Sequence, residues 1–534
     1  MYTFLSILLL LAGVALSVRS FRRSGRRSFR EALYLCLLPV GGAVVISYAL
    51  GAVMHAPFWA WNGGRLAPTF AFAHGIPMYA GPDEGAVLNT LYGPMSALAY
   101  YPVVWLSRPD VALALAALMA AIYFHAPLLF WLFSEGRQSR APLGWCALLF
   151  MLFCLGAALS PALKYSAFNV HADAPALGLA ALACWSLTRH PGVPRWRDAL
   201  PAAFLAACAV WTKQTMAPVC VALVLYAFVV IGYPAAVRVL LSLAICGLGL
   251  SVFFLRLFYD NGDLVFNMFT IVSKHPLEGN LRWYAMNYGK ELVSNAIVPL
   301  AVLAPALFLL VRDWFTGRHY FRAMCAHSQW TLTLLTALLL IPGSFYAYVK
   351  IGGDINSLSP PIYFLYLSAL LFLIKPSVEP SYEDVAELPR PVLTGAVALT
   401  VATLCVLIAD VPEGLREADA FKTNPSRKVY EYSKAHPGAV YFPWNPLEVL
   451  MANGRLYHFD YGLFDRNLAG LPLTDAHLRD HIPSRAQWMI YAPSANKHKT
   501  ATGYLPEFKP AEALPEFRGW ETFHREQAQP ASTR

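Results

Sequence analysis

The sequence predicts an α-helical polytopic membrane protein of about 12 transmembrane helices, followed by a small C-terminal soluble α/β domain. Three observations carry this prediction. Of the 534 residues, 57% are hydrophobic and 14% are charged, whereas soluble domains average about 25% charged residues. The apolar residues fall in nearly uncharged blocks, close in length to the roughly 20 residues that a helix needs to cross about 30 Å of hydrocarbon. Those blocks are rich in Leu, Ala, Val and Phe without strict alternation. In hydrocarbon every backbone N–H and C=O must be paired, and this pattern fits helices rather than barrel strands.

Taken in chain order, residues 1 to 18 are apolar and are followed by Arg19, Arg22, Arg23, Arg26, Arg27 and Arg30. A secretory signal has its charges before the apolar core, so this segment is expected to be an uncleaved anchor with its amino end outside, and residues 1–30 an anchor with a basic cytoplasmic linker. Further apolar blocks cover 31–54, 110–133, 141–160, 173–188, 198–211, 215–232, 237–258, 290–311, 329–348, 360–375 and 391–410. An even number of spans places both ends on one side. The arginine-rich connections (Arg137 and Arg140; Arg189, Arg195 and Arg197; Arg312, Arg318 and Arg322) then share a side with the first arginine cluster, as the positive-inside rule requires. Parity makes the apolar stretch from Leu88 to Leu106 interfacial or re-entrant.

On this map the connections 55–109, 161–172, 259–289 and 349–359 are external, as is the tail 411–534. Long loops in membrane proteins are usually functional. The tail alternates β-like runs (Ala439 to Trp444, Trp488 to Ala492) with helix-like ones (Pro446 to Ala452, Asp475 to His481). It contains no glycine-rich phosphate loop or metal spacing. The nine cysteines all lie in or beside apolar blocks and imply neither a disulfide framework nor a zinc site. The net charge of +9 is explained by the sidedness of Lys and Arg, and no nucleic-acid partner is expected.

The first long loop carries Asp83 and Glu84 within Gly81-Pro82-Asp83-Glu84-Gly85, ahead of Tyr92-Gly93-Pro94. Ionisable groups at a membrane edge are costly unless they serve a purpose. The plain alternative is that both carboxylates cap an interfacial helix after Pro82. The next external connection contains Asn169, His171 and Asp173, where Asp173 opens an apolar block and is also a natural N-cap. Cations recur at the external edges: Lys213 in Trp211-Thr212-Lys213-Gln214, Lys274 beside His275, and Lys350 in Lys350-Ile351-Gly352-Gly353-Asp354-Ile355-Asn356. A single lysine there can snorkel to lipid headgroups. Several, against the positive-inside trend, point to an anionic ligand, and Gly352-Gly353 would let backbone N–H groups approach it.

In this order and placement the motifs resemble the GT-C superfamily, the multi-span glycosyltransferases that use polyprenyl-phosphate sugars, a group including protein mannosyltransferases and lipid A aminoarabinose transferases. The resemblance runs over residues 31 to 375 through Asp83-Glu84, Tyr92-Gly93-Pro94, Asn169-x-His171-x-Asp173-x-Pro175, Trp211-Thr212-Lys213 and Lys350-x-Gly-Gly-Asp354-x-Asn356. The anchor at 1 to 18 is extra to the family pattern. The resemblance implies a catalytic domain over 31–410 and transfer of a sugar from a polyprenyl-phosphate donor to an envelope glycan, lipid or protein.

The resemblance implies a leaving phosphate, stable as an anion, for which one carboxylate could suffice: Asp83 is the candidate general base, with Glu84 as its helper or as part of a metal site. Lys274, His275, Lys350 and, more weakly, Lys213 are candidates for the phosphate, and Tyr92, His171, Asp173, Asp354 and Asn356 for substrate contacts. A divalent cation, Mg or Mn, is a candidate cofactor, with Glu84, His171 and Asp173 as its candidate ligands. The composition, rich in Ala, Leu and Arg, suggests a bacterial inner membrane with the site and tail periplasmic. The competing expectation is a transporter or flippase for an anionic lipid-linked substrate, which would use the same cations. Against it, the polar groups cluster in external loops and no internal repeat is evident.

Overall fold

The computed structural model describes residues 2–23, 29–88, 90–138, 143–190, 193–258, 262–316, 329–374, 390–493 and 499–526. Every apolar block of the sequence contains a helix, from Tyr2–Arg23 to Arg390–Asp419. Six of the described helices are long and apolar enough to cross a membrane, or seven if one bent pair counts as a span. That count covers the described residues alone, and within them three of the apolar blocks depart from a long straight span. Asp173–Thr188 and Trp196–Thr212 have only 16 and 17 residues, about 24 to 26 Å of helix at 1.5 Å per residue. The block at 141–160 does not run straight on: Leu143–Leu159 meets Pro161–Phe168 at 101°. Among the described residues from Leu88 to Leu106 the helical pieces are Met95–Leu98 and a 3₁₀ turn at Tyr101–Trp105, too short to cross. Arg26, Arg27, Arg140, Arg318 and Arg322 lie outside the described residues.

The bend has a local cause. Ser160 caps the second helix, its Oγ accepting from Leu163 N at 3.4 Å, and Pro161 at the first helical position has no N–H to lose. The segment 355–374 is the centre of the bundle, 94% of its most apolar stretch being buried. Tyr363 and Tyr366 pack there on Phe153, and Tyr363 also on Phe124. Helices Asp173–Thr188 and Trp196–Thr212 meet through alanines: Ala176, Ala180 and Ala183 on the first and Ala199, Ala202 and Ala206 on the second are all fully buried. Small residues allow the close backbone approach that drives helix association in lipid.

The helix Arg390–Asp419 continues past Val411, so the soluble part is set off only beyond it. Strands β1 (Val440–Tyr441), β2 (Trp488–Tyr491), β3 (Phe508–Pro510) and β4 (Glu521–Arg525) form one sheet in the order β1-β2-β4-β3. β1 and β2 are parallel, with Val440 opposite Trp488, and β4 is antiparallel to both β2 and β3. Phe442, Val449, Ile490 and Phe517 form a small core of this region.

The soluble part docks on the helix Ala60–Ala73. Trp61 meets Trp444, Phe459 and Tyr461 with ring centroids 5.1, 6.1 and 4.2 Å apart. Such edge-on aromatic pairs are worth about 0.5 to 1.5 kcal/mol each beyond their buried area.

Candidate active site

The site begins where two helices end. Trp196–Thr212 stops at Lys213, whose backbone is extended (φ −146°, ψ 119°), and Asp173 lies in the first turn of the neighbouring helix. The helix dipole favours a carboxylate there. Lys213 Nζ donates to Asp173 Oδ1 in an ion pair, with the two side chains 8% and 0% exposed. The remaining capacity of the carboxylate is filled by other donors. Asn356 Nδ2 reaches Oδ2 at 2.9 Å, Ser166 Oγ at 3.3 Å and His171 Nδ1 at 2.7 Å. A buried charge persists only when it is paired and hydrogen-bonded, and Asp173 meets both conditions.

His171 extends the network. Its Nε2 is 3.0 Å from the Tyr92 hydroxyl, an arrangement met by the neutral tautomer in which Nδ1–H donates to Asp173 and Tyr92 O–H donates to Nε2. Burial is the largest influence on this imidazole and pushes its pKa down to about 4, against the opposing pull of Asp173. Tyr92 reaches the cluster because of the next residue. A methyl group on Gly93 would lie 1.8 Å from the Trp211 carbonyl oxygen, so only glycine lets this loop pass the end of the helix.

Arg65, on the Ala60–Ala73 helix, completes the centre. Its NH1 donates to the Tyr165 hydroxyl at 2.6 Å, and its guanidinium lies 5.8, 4.8 and 5.5 Å from the rings of Trp59, Trp61 and Tyr165. A small cavity is lined by Arg65, Thr90, Tyr92, Ser96, Tyr100 and His171. With Asp173 paired to Lys213 and His171 neutral, the guanidinium gives this set of residues an excess of positive charge, which suits an anion. Trp211, two residues before Lys213, lines an apolar groove of about 580 Å³ between the helices, together with Val221, Val224, Leu240 and Leu243 among others.

The other candidate residues form a second group. The loops around 275 and 350 are zipped together by Glu278 N to Val349 O at 2.9 Å and Ile351 N to Pro276 O at 3.1 Å. Lys350 Nζ donates to Val272 O at 2.6 Å and lies 4.9 Å from the Tyr346 ring; partial burial lowers its pKa. His275 Nε2 is 3.9 Å from Asp465, and its pKa is lowered by burial, then by Lys350. Lys274 is exposed. Asp354 is also exposed and caps the turn Ile355–Leu358 through Ile355 N at 2.7 Å. The Gly353 N–H already donates to Lys350 O at 2.7 Å, which takes it from the ligand-binding role expected of it.

Asp83 and Glu84 are exposed in a bend, in contrast to the buried Asp173 and Lys213. Among the described residues no three His, Cys, Asp or Glu side chains come together as a metal site. The candidate ligand set Glu84, His171 and Asp173 is not assembled: Asp173 is saturated by Lys213, His171, Asn356 and Ser166, and Glu84 belongs to the exposed bend. These residues do not fit a metal as they stand.

No family model matches the chain, and no curated protein matches it in sequence. Among solved structures it is similar to ArnT from Cupriavidus metallidurans in the apo state, with a TM-score of 0.53 and 13% identity over 90% of this chain and 97% of that one. It is also similar to ArnT from the same organism bound to undecaprenyl phosphate, with a TM-score of 0.51 and 11% identity over 91% and 97%. The fold is ArnT-like. Coverage of nearly the whole of both chains means that the likeness to ArnT takes in the bundle and the soluble part together.

Within this ArnT-like fold the structure adds residues that the sequence motifs did not single out. Ser166 and Ser359 hydrogen-bond to each other at 2.8 Å beneath Asp173, and Tyr100 donates to the His171 carbonyl at 2.7 Å. Arg65 carried a readable signal: it is an arginine in an expected external connection, against the positive-inside trend, four residues after Trp61.

Proposed function

We propose that this protein is an integral membrane glycosyltransferase that moves a sugar from a polyprenyl-phosphate donor to an envelope lipid, glycan or protein on the external, periplasmic face of a bacterial inner membrane. The observation that carries the proposal is the segment Trp211 to Lys213, in which Trp211 lines an apolar groove and Lys213, two residues on, belongs to the buried, net-positive cluster. A polyprenyl phosphate has the matching form, a long apolar chain ending in an anion. The ArnT-like fold, which in one solved case holds undecaprenyl phosphate, supports the same reading.

In the proposed reaction the acceptor oxygen attacks the anomeric carbon, the bond from that carbon to the phosphate oxygen breaks, and the phosphate leaves with the electron pair. Arg65 and Lys213 stabilise the charge gathering on the phosphate in this reading, by charge-assisted hydrogen bonds. Asp173, itself held by His171, Ser166 and Asn356, fixes Lys213, and Tyr92 lines the cavity. Lys350 and Lys274 form a second cationic group for the donor or an anionic acceptor, with the neutral His275 beside them as a hydrogen-bonding partner and Asp354 holding their loop. Asp83 is proposed to take the proton of the acceptor hydroxyl, with Glu84 beside it. The ion-paired Asp173 is poorly suited to that role, because Lys213 stabilises its charged form.

The test is reconstitution of the purified protein in lipid with a panel of polyprenyl-phosphate sugars and an envelope extract. Donor-dependent labelling of the extract is the expected result. Movement of intact donor across the bilayer without cleavage would favour the transporter reading.

A further inference from the structure

The acidic loop is held in place from the far end of the chain. Buried Arg466 donates through NH1 to Gly81 O at 3.3 Å and through NH2 to Pro82 O at 2.7 Å, while its Nε is fixed on Leu471 O at 3.0 Å. On the other side of Asp83 and Glu84, His477 Nε2 is 2.7 Å from Gly85 O, so this nitrogen carries the proton. Two residues on, the Val87 N–H donates to His458 Nδ1 at 2.9 Å, and Phe459 N donates to Val87 O at 2.9 Å. Gly462 lies flat against this segment: a methyl group there would be 2.9 Å from the Leu88 carbonyl carbon.

The helix Asp460–Leu468, to which Arg466 and Gly462 belong, also touches the other external loops. Its Asp465 faces His275 at 3.9 Å, the Arg466 guanidinium lies 4.8 Å from the Phe266 ring, and Tyr461 packs on Trp61. One short helix of the soluble part therefore meets the acidic loop, the loop around 275 and the helix that carries Arg65.

We infer that the Asp460–Leu468 helix is a clamp that positions the acidic loop, and that Arg466 is a positioning residue for Asp83 and Glu84. A guanidinium suits this role because its rigid planar fork spans two successive carbonyls while its Nε stays fixed on Leu471 O, a geometry that a flexible ammonium holds less well. Both carbonyls belong to the residues just before Asp83, so their fixing sets the direction in which the carboxylate leaves the loop. His477 fixes the residue just after Glu84. The exposed pair thus gains a defined position through backbone bonds on both sides. The consequence for turnover rests on the transferase reading above; the physical tie to the loop does not.

The experiment pairs hydrogen exchange with kinetics on the full-length protein in lipid nanodiscs, comparing wild type, Arg466→Ala, Arg466→Lys and, as a control, Arg479→Ala. Arg479 pairs with Asp475 and Glu507 on the surface of the same soluble part. The clamp predicts that Arg466→Ala speeds exchange of the 80–88 amides by about tenfold or more, as expected for a loosened local unit. It also predicts that kcat falls by roughly 10²-fold, the cost of a misplaced catalytic group, with donor KM within about threefold of wild type. Arg466→Lys should recover part of both, and Arg479→Ala should match wild type.

Unchanged exchange at 80–88, or faster exchange with unchanged kcat, would overturn the inference. Should Arg466→Ala fail to yield folded protein, His477→Ala loosens the other end of the loop and is judged by the same two readouts. Absence of transfer by wild type would remove the transferase reading, and the exchange comparison alone would then decide whether the tie exists.

Discussion

Asn356 donates a 2.9 Å hydrogen bond to the carboxylate of Asp173, a residue 183 positions earlier in the chain. That bond joins the loop after residue 349 to the helix opening at 173, and the Lys213 ion pair adds the end of a third segment. Three motifs that are unremarkable in isolation thereby become one buried polar centre.

The first prediction concerns this centre. Asp173→Asn leaves Lys213 buried without its counter-charge, and breaking a buried pair from one side typically costs about 3 to 5 kcal/mol. The expected outcome is a large fall in thermal stability in detergent. The double variant Asp173→Asn with Lys213→Met should recover much of that stability, because neither charge is then left alone, but not transfer. Stability equal to wild type in the single variant would mean that the pair is not buried.

Arg65 is expected to bind the donor phosphate. Arg65→Ala should weaken donor affinity or turnover by roughly 10 to 150-fold, the equivalent of one charge-assisted bond of about 1.5 to 3 kcal/mol. Arg65→Lys should rescue poorly, since an ammonium cannot reproduce a guanidinium stacked among Trp59, Trp61 and Tyr165. Titration with undecaprenyl phosphate provides the measurement. Equal affinity in all three proteins would place the phosphate elsewhere.

The second cationic group should divide. Lys350 is partly buried and hydrogen-bonded to Val272 O, whereas Lys274 is exposed, where a lone charge is worth little. Lys350→Ala is expected to reduce transfer by about tenfold or more, as for the loss of one charge-assisted contact, and Lys274→Ala to have a smaller effect. Steady-state rates in reconstituted vesicles check this, and the reverse order would exchange the two roles.

Asp83→Asn preserves size and hydrogen-bond acceptance but not basicity. Transfer should fall by roughly 10² to 10⁴-fold, with donor binding and thermal stability nearly intact. Glu84→Gln should be milder. Wild-type transfer by the Asn variant would leave Asp83 as a cap of its bend.

Glu448 is expected to give the soluble part a pH dependence. It is buried beside Gly63, and burial raises its pKa to about 7 from the ordinary 4.5, with Ser426 and Asn445 opposing the shift. The folded state therefore holds this proton where the unfolded chain has lost it. Stability is full below about pH 4.5 and falls as pH rises to about 7, by on the order of 3 kcal/mol. Glu448→Gln should flatten that slope and stabilise the protein at pH 8. Melting curves at pH 5 and 8 provide the check, and parallel slopes in variant and wild type would rule out this carboxyl as the cause.

Hydropathy made the helices legible, because each apolar block had to pair its backbone internally. Within the soluble part, the runs at Trp488 and at Pro446 and Asp475 correspond to β2 and two helices. β3, by contrast, is three residues ending in Pro510 and carries too little pattern to read. At the site, Lys213, His171, Asp173, Asn356 and Tyr92 were visible as types and spacings, but their mutual contacts depend on tertiary closure. Arg65, the one charge in an otherwise apolar helix, stood out only as an arginine in an expected external connection, which does not tell what it touches. The contacts of Arg466 and His477 with residues 81 to 85 span more than 380 positions, a distance over which no local rule operates.

The most direct test of the central claim follows both products in one reaction: wild-type protein in lipid, a labelled polyprenyl-phosphate sugar, and an envelope acceptor fraction, with polyprenyl phosphate and glycosylated acceptor measured by mass spectrometry. Transfer at the Arg65 and Lys213 centre predicts that the two products appear in equal amounts and that both are lost together in Lys213→Ala. Donor that crosses the bilayer intact, with neither product formed across the donor panel, would contradict it.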